Sequence, residues 1–189
     1  MHHHRIAAFL AGCWILGSLF MMFVATQNFR AVDRVLAAPP TQASPMIQTL
    51  GSEKSRVLLR QLVGEENAFY FESWELAELA LGTLLTGFLL FGAQRQVLAG
   101  LAAAMVGLAA FQHFEITPEM VSMARSLEPA PGFARLHALY GILEIVKLAL
   151  AVVIAGALLP AWRARSARID NSNLGQRPAP TQSFLHQSH

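Results

Sequence analysis

The chain has 189 residues, of which 54% are hydrophobic and 14% charged, with a net charge of +2. So apolar a composition excludes an ordinary soluble domain, in which about a quarter of residues are charged. The lone cysteine, Cys13, excludes an internal disulfide, and basic residues this few and this dispersed exclude a nucleic-acid surface.

The opening MHHHR is read as native sequence. Residues 6–29 carry no charge, a run longer than the roughly 20 residues that cross a bilayer. This first span, about 6–27, is expected to be a retained anchor. Its apolar stretch exceeds the roughly 7 to 15 residues of a signal-peptide core, and Phe23 with Ala25 makes a poor cleavage site.

A polar connection follows. Pro39 and Pro40 stop the first helix, and Ser44-Pro45 reads as an N-cap followed by proline in the first turn. Met46, Ile47, Leu50, Val57, Leu58 and Leu62 then recur at helical spacing opposite Glu53, Arg56 and Arg60. That pattern predicts an amphipathic helix over about 45–64, lying on the membrane or over the bundle.

The second span is expected over 73–94. Its entry holds Glu72, Glu75 and Glu78 around Trp74, and acidic side chains suit a helix N-terminus, which explains Glu72 better than Glu78. After a turn at Arg95, the third span takes 96–114, rich in Ala and Gly, and closes with His113 and Glu115. Gly82, Gly87, Gly100 and Gly107 are expected to let helices approach closely. A connection containing Pro118, Pro129 and Pro131 leads to the fourth span, 137–160. There His137, Tyr140, Gly141 and Glu144 share one helical stripe, with Lys147 at its edge. Residues 163–189 are basic, then rich in Ser, Asn, Gln and Pro, and are expected to form a disordered tail.

The fold class expected is therefore all-α: a polytopic bundle of four transmembrane helices over residues 1–162, with an amphipathic connecting helix. Four spans place both termini on one side. Glu75, Glu78, His113, His137, Tyr140, Glu144 and Lys147 then fall in the same half of the bundle, as an intramembrane polar site. On span length alone, Glu78 lies about 7 Å and Lys147 about 15 Å below that surface. An ionisable group at mid-helix costs about 2.5 to 3.5 kcal/mol on insertion scales, so it turns inward. Two readings stay open: an internal ion pair that only fixes helix packing, or a site for a proton, metal or small polar ligand. Glu78, His113, His137 and Glu144 are the metal candidates, and a haem would need His113 and His137 to face one another.

Arg5, Arg95, Arg163, Arg165 and Arg168 crowd the terminal side, whereas the basic residues opposite are spread through a long connection. The positive-inside rule then favours cytoplasmic termini, in a bacterial inner membrane, with the polar half facing outward.

No internal repeat, phosphate-binding loop, dinucleotide fingerprint, CxxC pair or nucleophile elbow occurs. No catalytic residue is therefore assigned, and the chain is expected not to be an enzyme. Two stretches, Gly12-Cys-Trp14-Ile-Leu-Gly17-Ser-Leu-Phe20 continuing through Phe23-Val24 to Phe29-Arg30, and Phe133-Ala-Arg-Leu-His137, resemble the first and last helices of the transmembrane protein 205-like domains. The resemblance covers roughly residues 6–160. It implies a four-helix membrane protein and, because a eukaryotic branch is associated with drug resistance, hints at transport. Three functions are carried forward: an interaction or accessory subunit of a membrane assembly, a small proton-coupled transporter using Glu78, Glu144, Lys147 and His137, and a metal- or haem-binding protein. Expected partners are the lipid bilayer and a membrane protein or second copy, with no nucleic acid. No cofactor is expected under the first two readings.

Overall fold

The computed structural model describes residues 3–91, 96–125 and 132–174, with side chains as far as residue 159. Helices are the secondary structure of the described residues, joined by short turns: α1 (His3–Ala37), α2 (Ser44–Leu50), α3 (Ser52–Leu90), α4 (Gln96–Phe111), a π-helical turn (Gln112–Ile116), α5 (Thr117–Arg125) and α6 (Phe133–Leu174). Four of the resulting rods are long and apolar enough to cross a membrane: α1, α3, the α4–α5 rod and α6. α1 packs on α3, α3 on α4, and α6 closes against α1 and α4.

The helices run further than their apolar stretches. At 1.5 Å per residue, the 35 residues of α1 and the 39 of α3 reach about 52 and 58 Å, nearly twice a hydrocarbon core of about 30 Å. Helix continues wherever no residue breaks it. The amphipathic segment expected over 45–64 is accordingly not a separate element. Gly51, at φ 80°, divides it, and everything after Gly51 belongs to α3. Ser44 is the first residue of α2 rather than its cap, a position held by Ala43. The apolar side chains Met46, Leu50, Val57, Leu58 and Leu62 are exposed.

A second difference lies at Pro118. The third span was expected to end at Phe114, yet the helix passes through the proline to Arg125. Proline supplies no N–H, and its ring clashes with the carbonyl four residues earlier, here that of Phe114. The π-turn widens the helix just before it, so that the Thr117 N–H bonds to the Gln112 carbonyl, five residues back. Pro129, Pro131 and the turn at Arg95 lie outside the described residues. At the C-terminus α6 continues to Leu174, so 163–174, expected in a disordered tail, are helical, and 175–189 lie outside the described residues.

Two glycines set the register between rods. A side-chain carbon at Gly17 would fall within the ring of Trp74, and one at Gly82 would lie 2.5 Å from Val106 and 2.7 Å from the Trp14 ring. Each indole thus rests its six-membered ring against bare backbone. Gly87, Gly100 and Gly107, expected to do the same, have no such neighbour within 4 Å. Below this level α1, α3, α4 and α6 enclose a wholly apolar core that includes Ala7, Ala11, Leu85, Leu89, Met105, Ile154 and Leu158. A smaller apolar block, Ile116, Met120 and Tyr140, lies above it.

Candidate functional site: a buried carboxylate–lysine cluster

Between the two apolar blocks, every rod except α1 contributes polar side chains to one cluster. α3 brings Glu75 and Glu78, the π-turn brings Gln112 and His113, α5 brings Thr117, and α6 brings Tyr140, Glu144 and Lys147. Glu75, Glu78, Gln112 and Lys147 are completely buried, and Thr117, Tyr140 and Glu144 are 2, 4 and 7% exposed. Alone in this set, the His113 side chain is partly open, at 20%.

The Lys147 ammonium lies between two carboxylates. It donates to Glu78 Oε2 from α3 and, one turn along its own helix, to Glu144 Oε1 at 2.7 Å. Gln112 Nε2 donates to the same Glu144 oxygen at 3.2 Å and to the Tyr140 carbonyl at 3.3 Å. Glu75 is held separately. Its Oε1 accepts from the Thr117 hydroxyl at 2.6 Å, and its Oε2 lies 3.0 Å from His113 Nδ1, which donates when the carboxylate is ionised. The Tyr140 ring meets Phe71 edge-on at 5.4 Å, and its hydroxyl lies near Glu75 without a hydrogen bond of ordinary geometry. Also without a hydrogen-bond partner among the described residues are Glu78 Oε1 and Gln112 Oε1.

Relative to Lys147, Glu78 sits lower along the bundle than span length suggested. Trp74, next to Glu75, packs on Gly17, which stands midway between Ile6 and Phe29, the ends of the uncharged run in α1. Glu78 is level with Lys147 rather than above it, as their ion pair requires. The sequence estimate counted from the first apolar residue of each span, whereas depth is fixed by packing on the neighbouring helix.

Of the residues expected in the site, Glu75, Glu78, His113, Tyr140, Glu144 and Lys147 are brought together and His137 is not. His137 is exposed and stacks on Phe133, with ring centroids 5.9 Å apart. Helical geometry explains this. Counted at 100° per residue from the buried Leu158, Tyr140 returns to about 0° and Lys147 to about −20°, but Leu136 falls at about −40° and His137 at about +60°. Leu136 therefore takes the inward position, and Lys147 is central to the stripe rather than at its edge. Among the described residues, facing imidazoles for a haem do not occur. Glu72 and Glu115 are exposed, as their places on the outer helix faces dictate.

Sequence reasoning missed Gln112 and Thr117. Gln112 was counted within an uncharged span and Thr117 within a connection. The available signal was the amide beside His113, because an unpaired amide is itself costly in an apolar run. Among the described residues no three His, Cys, Asp or Glu side chains gather closely enough to hold a metal ion, so the set Glu78, His113, His137 and Glu144 is not assembled.

What the fold and cluster define together is an all-helical bundle, with four rods of membrane-crossing length around an internal charge cluster. Comparisons with protein-family models, characterised proteins and solved structures find no match for the chain.

Proposed function

We propose that this is a multi-pass membrane protein acting as a small ion-coupled transporter, with the Glu78–Lys147–Glu144 cluster as its proton-exchanging centre. One observation carries the reading: three carboxylates and one lysine are buried level with the middle of the uncharged run of α1. Fully ionised, Glu75, Glu78 and Glu144 bring three negative charges, against two positive ones from Lys147 and a protonated His113. An apolar environment does not hold an uncompensated charge, so the centre carries an exchangeable proton or cation. A purely structural ion pair would need one carboxylate for one lysine. The partly open His113 lies on the connection side of this centre, and the apolar core of Leu85, Leu89, Ile154 and Leu158 seals the terminal side. Four helices make a narrow pathway, so transport is expected to require two copies.

Flux in proteoliposomes tests the reading. Glu144→Gln removes a charge but keeps an acceptor for Gln112 and Lys147, and it should abolish proton-driven uptake or efflux. Unchanged flux would remove the transporter.

The accessory-subunit reading rests on a different feature, the exposed apolar side chains Met46, Leu50, Val57, Leu58 and Leu62 on α2 and the start of α3. These residues precede the second uncharged run, so under the membrane reading they stand at or beyond the bilayer surface. Native mass spectrometry after mild extraction tests it: a co-extracted membrane protein supports this reading, and a lone chain or homodimer removes it.

A further inference from the structure

Away from the cluster, the seam between α1 and α6 opens into a groove on the terminal side. It has a volume of about 390 Å³ and is lined by His4, Arg5 and Ala8 from α1 and by Leu158 and Leu159 from α6. Its two ends differ in chemistry. Arg5 is the last charged residue before the uncharged run of residues 6–29, so under the membrane reading the end with His4 and Arg5 stands at the bilayer surface. Ala8, one turn further into that run, and Leu158 and Leu159, just short of Arg163, are the apolar walls. Carboxylates are scarce at this end. Among the described residues none pairs with Arg5. Of the chain's 12 acidic residues only Asp170 falls on the terminal side, and the others belong to the cluster or to the connection side. Beyond Leu159 the sequence instead adds Arg163, Arg165 and Arg168. The first turn of α1 holds no acidic side chain, and the dipole of a helix start favours an anion there.

We propose that this groove binds one anionic phospholipid, with its phosphate at Arg5 beside His4 and an acyl chain along Ala8, Leu158 and Leu159. The proposal rests on the membrane part of the reading above and is independent of ion coupling. Each part of the groove selects one part of the ligand. A guanidinium pairs with phosphate through two parallel hydrogen bonds, and a neighbouring imidazole adds a donor. A zwitterionic headgroup brings an ammonium as well, for which the groove has no carboxylate. An inorganic anion would leave the apolar walls uncovered, whereas an acyl chain covers them and buries the exposed side chain of Leu159. Basic pockets between membrane helices hold anionic headgroups on the same principle.

Native mass spectrometry of the full chain in detergent, titrated with phosphatidylglycerol or with phosphatidylcholine of the same acyl chains, provides the test. One phosphatidylglycerol should be retained about tenfold more tightly than phosphatidylcholine, as one charge-assisted phosphate contact requires. Arg5→Gln should abolish that preference. Ala8→Leu, which fills part of the apolar wall, should weaken retention of both lipids severalfold, with circular dichroism confirming that each variant folds. Arg30→Gln, on the connection side, should change nothing, and an equal loss there would overturn the site, since charge alone would then decide. Equal retention of the two lipids overturns it too. So does retention untouched by Arg5→Gln or by Ala8→Leu in folded protein. Displacement of bound phosphatidylglycerol by millimolar inorganic phosphate would overturn the lipid and leave only an anion site. Washing the source membranes with alkaline carbonate separates this proposal from the reading beneath it. A chain released by the wash overturns the membrane reading and the lipid site together, whereas a chain that stays but shows no lipid preference overturns the lipid site alone.

Discussion

Removing the Lys147 ammonium is the sharpest perturbation of the cluster. Lys147→Met keeps the length of the side chain and much of its packing but leaves Glu78 and Glu144 facing each other, with exposures of 0 and 7% and no cation between them. Breaking a buried ion pair from one side costs about 3 to 5 kcal/mol, because the cost is that of the stranded charge rather than of the lost attraction. For a chain of this size, about 2 to 4 °C of melting temperature corresponds to each kcal/mol, so Lys147→Met should melt about 6 to 20 °C lower. The companion variant Glu78→Gln/Lys147→Met removes one charge of each sign. It leaves Glu144 bonded to Gln112, and should recover most of the loss. Thermal unfolding in a fixed detergent, followed by tryptophan fluorescence, measures both. A drop below about 1 kcal/mol for the single variant would refute the reasoning, since the carboxylates would then be solvated or protonated. So would a double variant no better than the single one, because the two sites would not be coupled.

Other substitutions separate what is packed from what merely looks packed. Gly17→Ala puts a methyl group into the Trp74 ring and should cost about 1 to 3 kcal/mol, most of it recovered when Trp74 is also made Leu; Gly100→Ala meets nothing and should be neutral or stabilising by up to about 1 kcal/mol. Arg125 makes a bidentate pair with Glu65 at 2.7 Å, but both side chains are exposed and screened by solvent, so Arg125→Ala should leave the melting temperature nearly unchanged. Thr117→Val removes a buried donor from Glu75 and should cost about 1 to 3 kcal/mol, with Thr117→Ser restoring it. Unfolding midpoints under the same conditions check all four.

Much of the cluster was legible in the sequence, because a charged or strongly polar residue within an apolar helix has few places to go. Glu75, Glu78, Tyr140, Glu144 and Lys147 were identified on that ground alone, and α3 and α6 bring them together. His137 was misplaced because its stripe was counted over one heptad from the top of the helix. Counting from Leu158 at the bottom puts Glu144 at about +40° and His137 at about +60°, the outermost position of that stripe, with Leu136 turned inward in its place. Gln112 was passed over because it lies within an uncharged span, and Thr117 was hidden by Pro118, which reads as a helix end. A proline stops a helix only when the lost hydrogen bond and the steric clash are not absorbed, and the π-turn absorbs both.

The sequence by itself determined which stretches are long and apolar enough to cross a membrane, where charge is absent from them, and which polar residues have to turn inward. These are properties of a single helix, set by run length and angular spacing. Only the tertiary structure decided how deep those residues lie and what each one touches. The vertical register of α3 against α1 and α4 depends on two indole rings resting on Gly17 and Gly82, a fit between surfaces far apart in the chain that no one-helix pattern encodes. That register places Glu78 beside Lys147 rather than nearer the surface, and so turns scattered polar residues into one charge-unbalanced centre.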